Sequence, residues 1–143
     1  MADPLPLTLD DIQAQLDASP FIAFLRLTCI AMDAKAGTLA IRMPMSAALE
    51  RGAGSNQFHG GAVASLIDTV GDFAVVMRTG LSIPTINFRV DFLRPSMGPS
   101  LTGHATVRRV GKTIGVVDVD VLDEQGRVTA VGRGCYGVPN SAA

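Results

Sequence analysis

The sequence predicts an α+β domain in which a curved antiparallel sheet wraps around one long central helix. Residues 60–77 form the one long helical pattern, and they are apolar on almost every side, as in a helix enclosed by other elements. Strand patterns lie before and after this helix, and no crossover helix separates the later ones, which favours antiparallel pairing. The 143 residues fit one domain, spanning 1–143.

The first 25 or so residues are predicted to form a short helical extension of this domain. Leu9, Ile12 and Leu16 recur at helical spacing, and the pattern ends at Ser19-Pro20. An apolar group at residues 21–25 is compatible with one more helical turn.

Six strands are predicted, two before the central helix and four after it. They span Arg26–Asp33, Thr38–Pro44, residues 85–92, Ser100–Val110, Thr113–Leu122 and Val128–Val138. The segment Ser46–Phe58 is predicted to be a loop. Gly71 inside the helix costs about 1 kcal/mol relative to alanine, which indicates a close backbone approach there.

Composition narrows the class of protein. The net charge of -1 provides no basic field for nucleic acid or an anionic membrane. Hydrophobic residues make up 48% and charged residues 17%, so part of the apolar surface is expected in a subunit interface. Cys29 and Cys135 are expected as free thiols. The sequence has no export signal and no uninterrupted apolar run of spanning length, so we expect a cytoplasmic protein.

The entry to the central helix is the strongest candidate site. His59, Gly60 and Gly61 stand where the first backbone N–H groups of a helix lack helical partners. Glycines let a ligand oxygen approach these donors, which suits polarisation of a carbonyl that becomes an oxyanion. The alternative interpretation is a glycine-rich loop with a structural histidine.

Two acids lie within the apolar helix. Asp68 follows His59 by nine residues and could act as a general base on water or as a nucleophile on an acyl carbon. Asp72 lies one turn further on the same face, and two such acids tend to raise the pKa of one of them. We expect Asp68 to be the chemical group and Asp72 a secondary, substrate-binding one. Alternatively, either acid points to solvent.

Further candidates lie on the later strands. Thr85, at the start of a strand with a polar face, is the residue of that face expected to reach the helix and orient water. Arg108, Arg109 and Lys112 cluster at a hairpin and could bind phosphates, or could simply form a solvated turn. Motifs for serine hydrolases, nucleotide hydrolases and zinc sites are missing, so no metal or cofactor is expected.

The His59-Gly60-Gly61 motif with Asp68 nine residues later resembles the hotdog-fold acyl-CoA thioesterases of the phenylacetate-pathway type. The strand from Thr85 to Pro95 and the segments 108–112 and 123–126 are also similar, and the resemblance covers roughly residues 26–138. It implies the hotdog fold, a long helix wrapped in an antiparallel sheet. It also implies a homodimer or a homotetramer built as a dimer of dimers, with active sites between subunits.

The resemblance assigns roles by position. Asp68 matches the catalytic carboxylate, which acts on a thioester held by the neighbouring subunit. Gly60 matches the backbone donor to the thioester carbonyl, His59 the histidine that helps to place it, and Thr85 a residue that assists the water. Ala53 stands where several relatives have Asn, and Asn56 or Gln57 is a candidate substitute.

The leading hypothesis is therefore hydrolysis of an acyl-CoA thioester to free acid and coenzyme A. One alternative is a hotdog hydratase or dehydratase acting on enoyl thioesters, and another is an acyl-CoA-binding sensor without turnover. The acyl group is open. Five apolar residues could line its pocket or belong to the core: Phe58, Phe73, Met77, Phe88 and Phe92.

Overall fold

The computed structural model describes residues 6–140 of the chain. Two N-terminal helices precede two strands, and a long helix and four more strands follow. The elements are α1 Leu9–Ala18, α2 Pro20–Leu25, β1 Thr28–Asp33, β2 Thr38–Pro44, α3 Gly60–Thr79, β3 Thr85–Phe92, β4 Ser100–Val110, β5 Ile114–Leu122 and β6 Val128–Gly137. A short 3₁₀ turn, Ala47–Leu49, lies in the loop between β2 and α3.

Helices α1 and α2 form the predicted extension, except that residues 1–5 lie outside the described part. Thr8 caps α1 through a reciprocal pair of hydrogen bonds with Asp11, and Ile12 and Leu16 are buried. Helix α2 begins at Pro20, which fits the first turn because its missing N–H has no helical acceptor there. Arg26 ends α2 in the left-handed conformation (φ 54°), so β1 starts at Thr28 rather than at the predicted Arg26.

The six strands form one antiparallel sheet in the order β1-β2-β4-β5-β6-β3. The strands β1 and β3 are therefore its two edges. Helix α3 packs along one face, and Gly115 on β5 allows close approach, because an added Cβ would lie 2.9 Å from a methyl carbon of Val75. The sheet and helix together enclose the hydrophobic core. This is the predicted arrangement.

Helix α3 is the predicted central helix, two residues longer than the pattern indicated. It begins after His59 and ends where Gly80 takes a left-handed conformation (φ 69°) and donates its N–H to the Val76 carbonyl at 2.7 Å. Its length and mean hydropathy of 1.4 would suffice for a membrane span, but 67% of the relevant window is buried inside the fold. That burial is typical of a core helix.

Candidate functional site

The entry to α3 presents a backbone donor that no group in the described part of the chain accepts. His59 caps the helix, and its Nδ1 accepts the N–H of Gly61 at 2.9 Å. An imidazole that accepts at Nδ1 carries its proton on Nε2, so Nε2–H stays available as an exposed donor. The N–H of Gly60 has no acceptor among residues 6–140. The partial positive charge of the helix N-terminus strengthens the attraction of this N–H for a negatively charged acceptor.

The loop before α3 is held by its own hydrogen bonds. The carboxylate of Glu50 accepts the backbone N–H of Asn56 at 2.7 Å, and Asn56 takes a left-handed conformation (φ 55°) that asparagine tolerates. His59 donates its N–H to the Leu49 carbonyl at 2.7 Å. Asn56 therefore has a structural part in placing the helix entry, while Ala53 lies exposed at the tip of the loop.

A cavity of about 350 Å³ adjoins Gly60. The ring of Phe92 covers the glycine, because an added Cβ there would lie 3.3 Å from the ring edge. Arg51 and Arg94 also line this cavity, and within residues 6–140 neither makes an ion pair. The sequence pattern did not single out these arginines, because 43 positions separate them and only folding brings them together.

The structure brings Asp68 and Thr85 together, as the sequence predicted. The hydroxyl of Thr85 donates to Oδ1 of Asp68 at 2.8 Å. Asp68 is half-buried on α3, and Thr85 is the first residue of β3. This hydrogen bond fixes one carboxylate oxygen and leaves the other for a water molecule or a substrate. The catalytic roles of both residues remain predictions.

Asp72 lies in an environment that disfavours the ionised form of its carboxyl group. Burial, with a smaller contribution from the charge of Asp68, raises its pKa from 3.8 to about 7. Its Oδ1 atom is buried without a hydrogen-bond partner in residues 6–140. The predicted effect of two acids at this spacing is therefore present, and it falls on Asp72.

Gly60 and Asp68 of one chain are too far apart to act on the same carbonyl. Asp68 lies eight positions after Gly60 in the helix, which corresponds to about 12 Å along the axis. A base or nucleophile and an oxyanion donor must both lie roughly 3 Å from the reacting atoms. One chain therefore supplies both an oxyanion donor and a carboxylate, but the two groups are too far apart to act on one carbonyl together.

The basic cluster at the hairpin lies near the other end of α3. Gly115, just beyond this hairpin, packs on Val75 near the C-terminus of the helix. Arg108 lies 3.6 Å from the carboxylate of Asp118, and Arg109 and Lys112 line a separate small cavity. These three residues therefore lie away from the Gly60 entry of the same chain, and their contact with substrate phosphates stays a prediction.

The apolar candidates divide into two groups. Phe58, Phe73 and Met77 are buried and belong to the core. Phe88 and Phe92 are 38% and 57% exposed on the edge strand β3. Strand β3 therefore has an apolar surface that is exposed to solvent in the single chain.

The sequence of this chain is similar to those of known thioesterases and esterases. Residues 56–130, more than half of the chain, match the thioesterase superfamily. The chain belongs to the thioesterase superfamily. A protein of Halobacterium salinarum named "Putative esterase" is 36% identical over 140 residues, covering 89% of each chain. The acyl-coenzyme A thioesterase PaaI of Escherichia coli is 38% identical over 82 residues, which cover 57% of this chain and 58% of PaaI.

Solved thioesterase structures confirm the hotdog fold that the sequence predicted. The E. coli PaaI structure superposes with a TM-score of 0.79 at 28% identity and covers 92% of both chains. A Haemophilus influenzae thioesterase superposes with a TM-score of 0.83 at 22% identity, covering 96% of this chain and 94% of the other, and supports the fold alone. The protein is a hotdog thioester hydrolase of the PaaI-like type.

Proposed function

We propose that this chain hydrolyses acyl-CoA thioesters to a free acid and coenzyme A, with Asp68 as the chemical group. The observation that carries the proposal is the Asp68 carboxylate, placed inside an apolar helix and held at 2.8 Å by the Thr85 hydroxyl. A partly buried carboxylate with a fixed orientation is suited to attack on an electrophilic carbon or to activation of water. PaaI, whose name gives acyl-coenzyme A thioesterase activity, supports the choice of substrate class.

The free N–H of Gly60 would stabilise the oxyanion. When water or Asp68 adds to the thioester carbon, the carbonyl oxygen becomes negative, and a donor already aimed at it lowers the barrier. The C–S bond then breaks and releases the thiolate of coenzyme A. If water attacks, Asp68 takes its proton. If Asp68 attacks, a mixed anhydride forms, and a single water molecule then hydrolyses it to the free acid and regenerates Asp68.

We propose that two subunits build each site, Gly60 from one and Asp68 from its partner. The separation of about 12 Å within one helix favours this arrangement. Edge strand β3 exposes Ile86, Phe88 and Phe92, and its outer edge is open for pairing with a second copy. A homodimer that buries this surface, or a homotetramer of two such dimers, accounts for the low charged fraction. We also propose a cytoplasmic location.

We also propose that Arg51 and Arg94 contribute to coenzyme A binding. Both line the cavity beside Gly60, and guanidinium groups form paired hydrogen bonds with phosphate oxygens. Asn56, His59 and Gly61 are sequence neighbours of Gln57, Phe58 and Gly60, which line the same cavity, and we keep them as candidate substrate contacts.

Release of thiol from a panel of acyl-CoA thioesters tests the function. Wild-type protein should release thiol, and Asp68→Asn should lose at least 100-fold in kcat, because the amide is neither base nor nucleophile. Asp120→Asn, an exposed carboxylate on β5, is the matched control and should keep full activity. Full activity in Asp68→Asn would refute the site. Binding without thiol release would indicate a sensor, and hydration of an enoyl thioester would indicate a hydratase.

Mixing two inactive variants tests the shared site. Gly60→Pro removes the N–H at the first helical position, which proline favours, and the exposed Phe92 ring is the side chain that must shift to admit it. When Gly60→Pro and Asp68→Asn subunits exchange, half of the dimers are mixed, and one of their two sites has both intact groups. Activity should return to about a quarter of wild type. No recovery after proven subunit exchange would contradict a site between subunits.

A further inference from the structure

Tyr136 on β6 is the one tyrosine of the chain, and its side chain lies against Asp68. The residue is 0% exposed. Its hydroxyl donates to the main-chain carbonyl of Asp68 at 3.2 Å. In an α-helix this carbonyl also accepts the N–H four residues further on, so the tyrosine adds a second donor to a helical oxygen. A contact of this kind ties β6 to the turn of α3 that carries Asp68.

Two glycines make room for the tyrosine. An added Cβ at Gly71, on α3, would overlap the phenol oxygen of Tyr136, and one at Gly134, on β6, would overlap the same group. The close backbone approach predicted at Gly71 is therefore an approach to Tyr136. Both glycines weaken the elements that contain them, since glycine is unfavourable in the interior of helices and strands. The space for the phenol is therefore obtained with a loss of stability in both α3 and β6.

Tyr136 and Thr85 hold Asp68 together. The two residues are direct partners in the pairing of β3 with β6. The hydroxyl of Thr85 donates to the carboxylate of Asp68, and the hydroxyl of Tyr136 donates to its main chain. One cross-strand pair therefore fixes both the side chain and the backbone of the same residue.

We propose that Tyr136 is a positioning residue for thioester hydrolysis, acting through Asp68, which it holds in place by its hydrogen bond to the Asp68 main chain. The inference rests on the function proposed above. A shift of about 1 Å in a reacting group can lower the rate up to 100-fold. A hydrogen bond that holds the helical turn of Asp68 in place therefore preserves the rate. Tyr136 itself does not contact the substrate in this mechanism.

The hydroxyl, rather than the ring, carries this role. A phenylalanine would fill the same space, and it would avoid the cost of burying a hydroxyl. The net contribution of one hydrogen bond to stability is only about 1 kcal/mol. Burial and the nearby charges of Asp68 and Asp72 raise the pKa of Tyr136, so the phenol keeps its proton and remains a donor.

Tyr136→Phe tests the inference because it removes one oxygen atom and keeps the ring. We expect kcat for thiol release to fall about tenfold while KM changes less than twofold. The control is Ser100→Ala, which removes another part-buried hydroxyl and its 2.6 Å hydrogen bond to Glu124, outside the site. This control should keep wild-type kcat. Thermal unfolding should show both variants folded, so that lost stability cannot explain the difference.

A double variant with Thr85→Val separates positioning from a merely structural role. If both hydroxyls act through Asp68, the loss of kcat in the double variant should be smaller than the product of the two single losses. Multiplicative losses, or an unchanged kcat in Tyr136→Phe, would overturn the inference. The proposed function fails differently: wild-type protein would release no thiol, or Asp68→Asn would retain full activity.

Discussion

Asp72 offers a stability test that does not depend on the reaction. Its carboxyl is largely buried, one of its oxygens has no partner in residues 6–140, and its pKa is raised from 3.8 to about 7. The folded state therefore keeps a proton on Asp72 at pH values where the unfolded chain has lost it. Because the folded state binds the additional proton, stability falls as the pH rises from about 4 to about 7 and then levels off.

The size of this effect follows from the interval between the two pKa values. At about 1.36 kcal/mol for each pH unit, the interval from 3.8 to about 7 corresponds to about 4 kcal/mol of lost stability above pH 7. About 1.5 kcal/mol of this is already lost at pH 5. Asp72→Asn cannot ionise and escapes the loss. The gap in unfolding free energy between Asp72→Asn and wild type should therefore widen in favour of the variant by about 2–3 kcal/mol between pH 5 and pH 8.

Urea unfolding at fixed protein concentration, measured at pH 5 and pH 8, checks this prediction. Asp120→Asn is the matched control, because it makes the same chemical change at an exposed position. Its difference from wild type should stay constant within error between the two pH values. A constant difference for Asp72→Asn as well would refute the reasoning, since it would mean that Asp72 ionises in the folded state as it does in the unfolded chain.

Three further predictions concern other contacts of the site. Thr85→Val should lower kcat about tenfold with little change in KM, because the Asp68 carboxylate loses its 2.8 Å donor; steady-state thiol release measures both constants. Gly71→Ala should destabilise the protein by about 1–2 kcal/mol in urea unfolding, because crowding against Tyr136 exceeds the helical gain of about 1 kcal/mol; a stabilised variant would contradict this. Arg94→Gln should raise KM for acyl-CoA several-fold at low salt and less at high salt, with kcat unchanged. If the variant and the wild type had the same KM at both salt concentrations, that result would count against a phosphate contact.

The regular elements could be predicted from sequence because each is specified locally. The predicted bounds of β2 and β4 match the structure at both ends, and α3 was identified by its continuous apolar character. The start of β1 was wrong by two residues. The reason is the left-handed conformation of Arg26, which ends α2 and delays the strand, and single-residue conformations of this kind follow from packing as much as from propensity.

Contacts between distant segments explain what the sequence did not reveal. Tyr136 reads as an ordinary strand residue until the fold places it between two glycines. Arg51 and Arg94 belong to no motif, yet they line one cavity. For Asp72 the sequence indicated a shared face with Asp68, but the degree of burial that separates the two acids depends on the sheet packed around them.

The difference between these two acids supports the assignment of the reaction to Asp68. A single buried carboxylate can be stabilised by donors, whereas two carboxylates one turn apart repel each other. In this helix the Thr85 hydroxyl reaches Asp68, while Asp72 has a pKa of about 7 and a buried oxygen that finds no partner within the described residues. The structure thus lets Asp72 hold a proton close to neutral pH, which reduces the repulsion on its neighbour. Under the proposed function, an uncharged Asp72 would leave the nucleophilic or basic role to Asp68, and ionisation of Asp72 above pH 7 would place a negative charge beside the proposed reacting group.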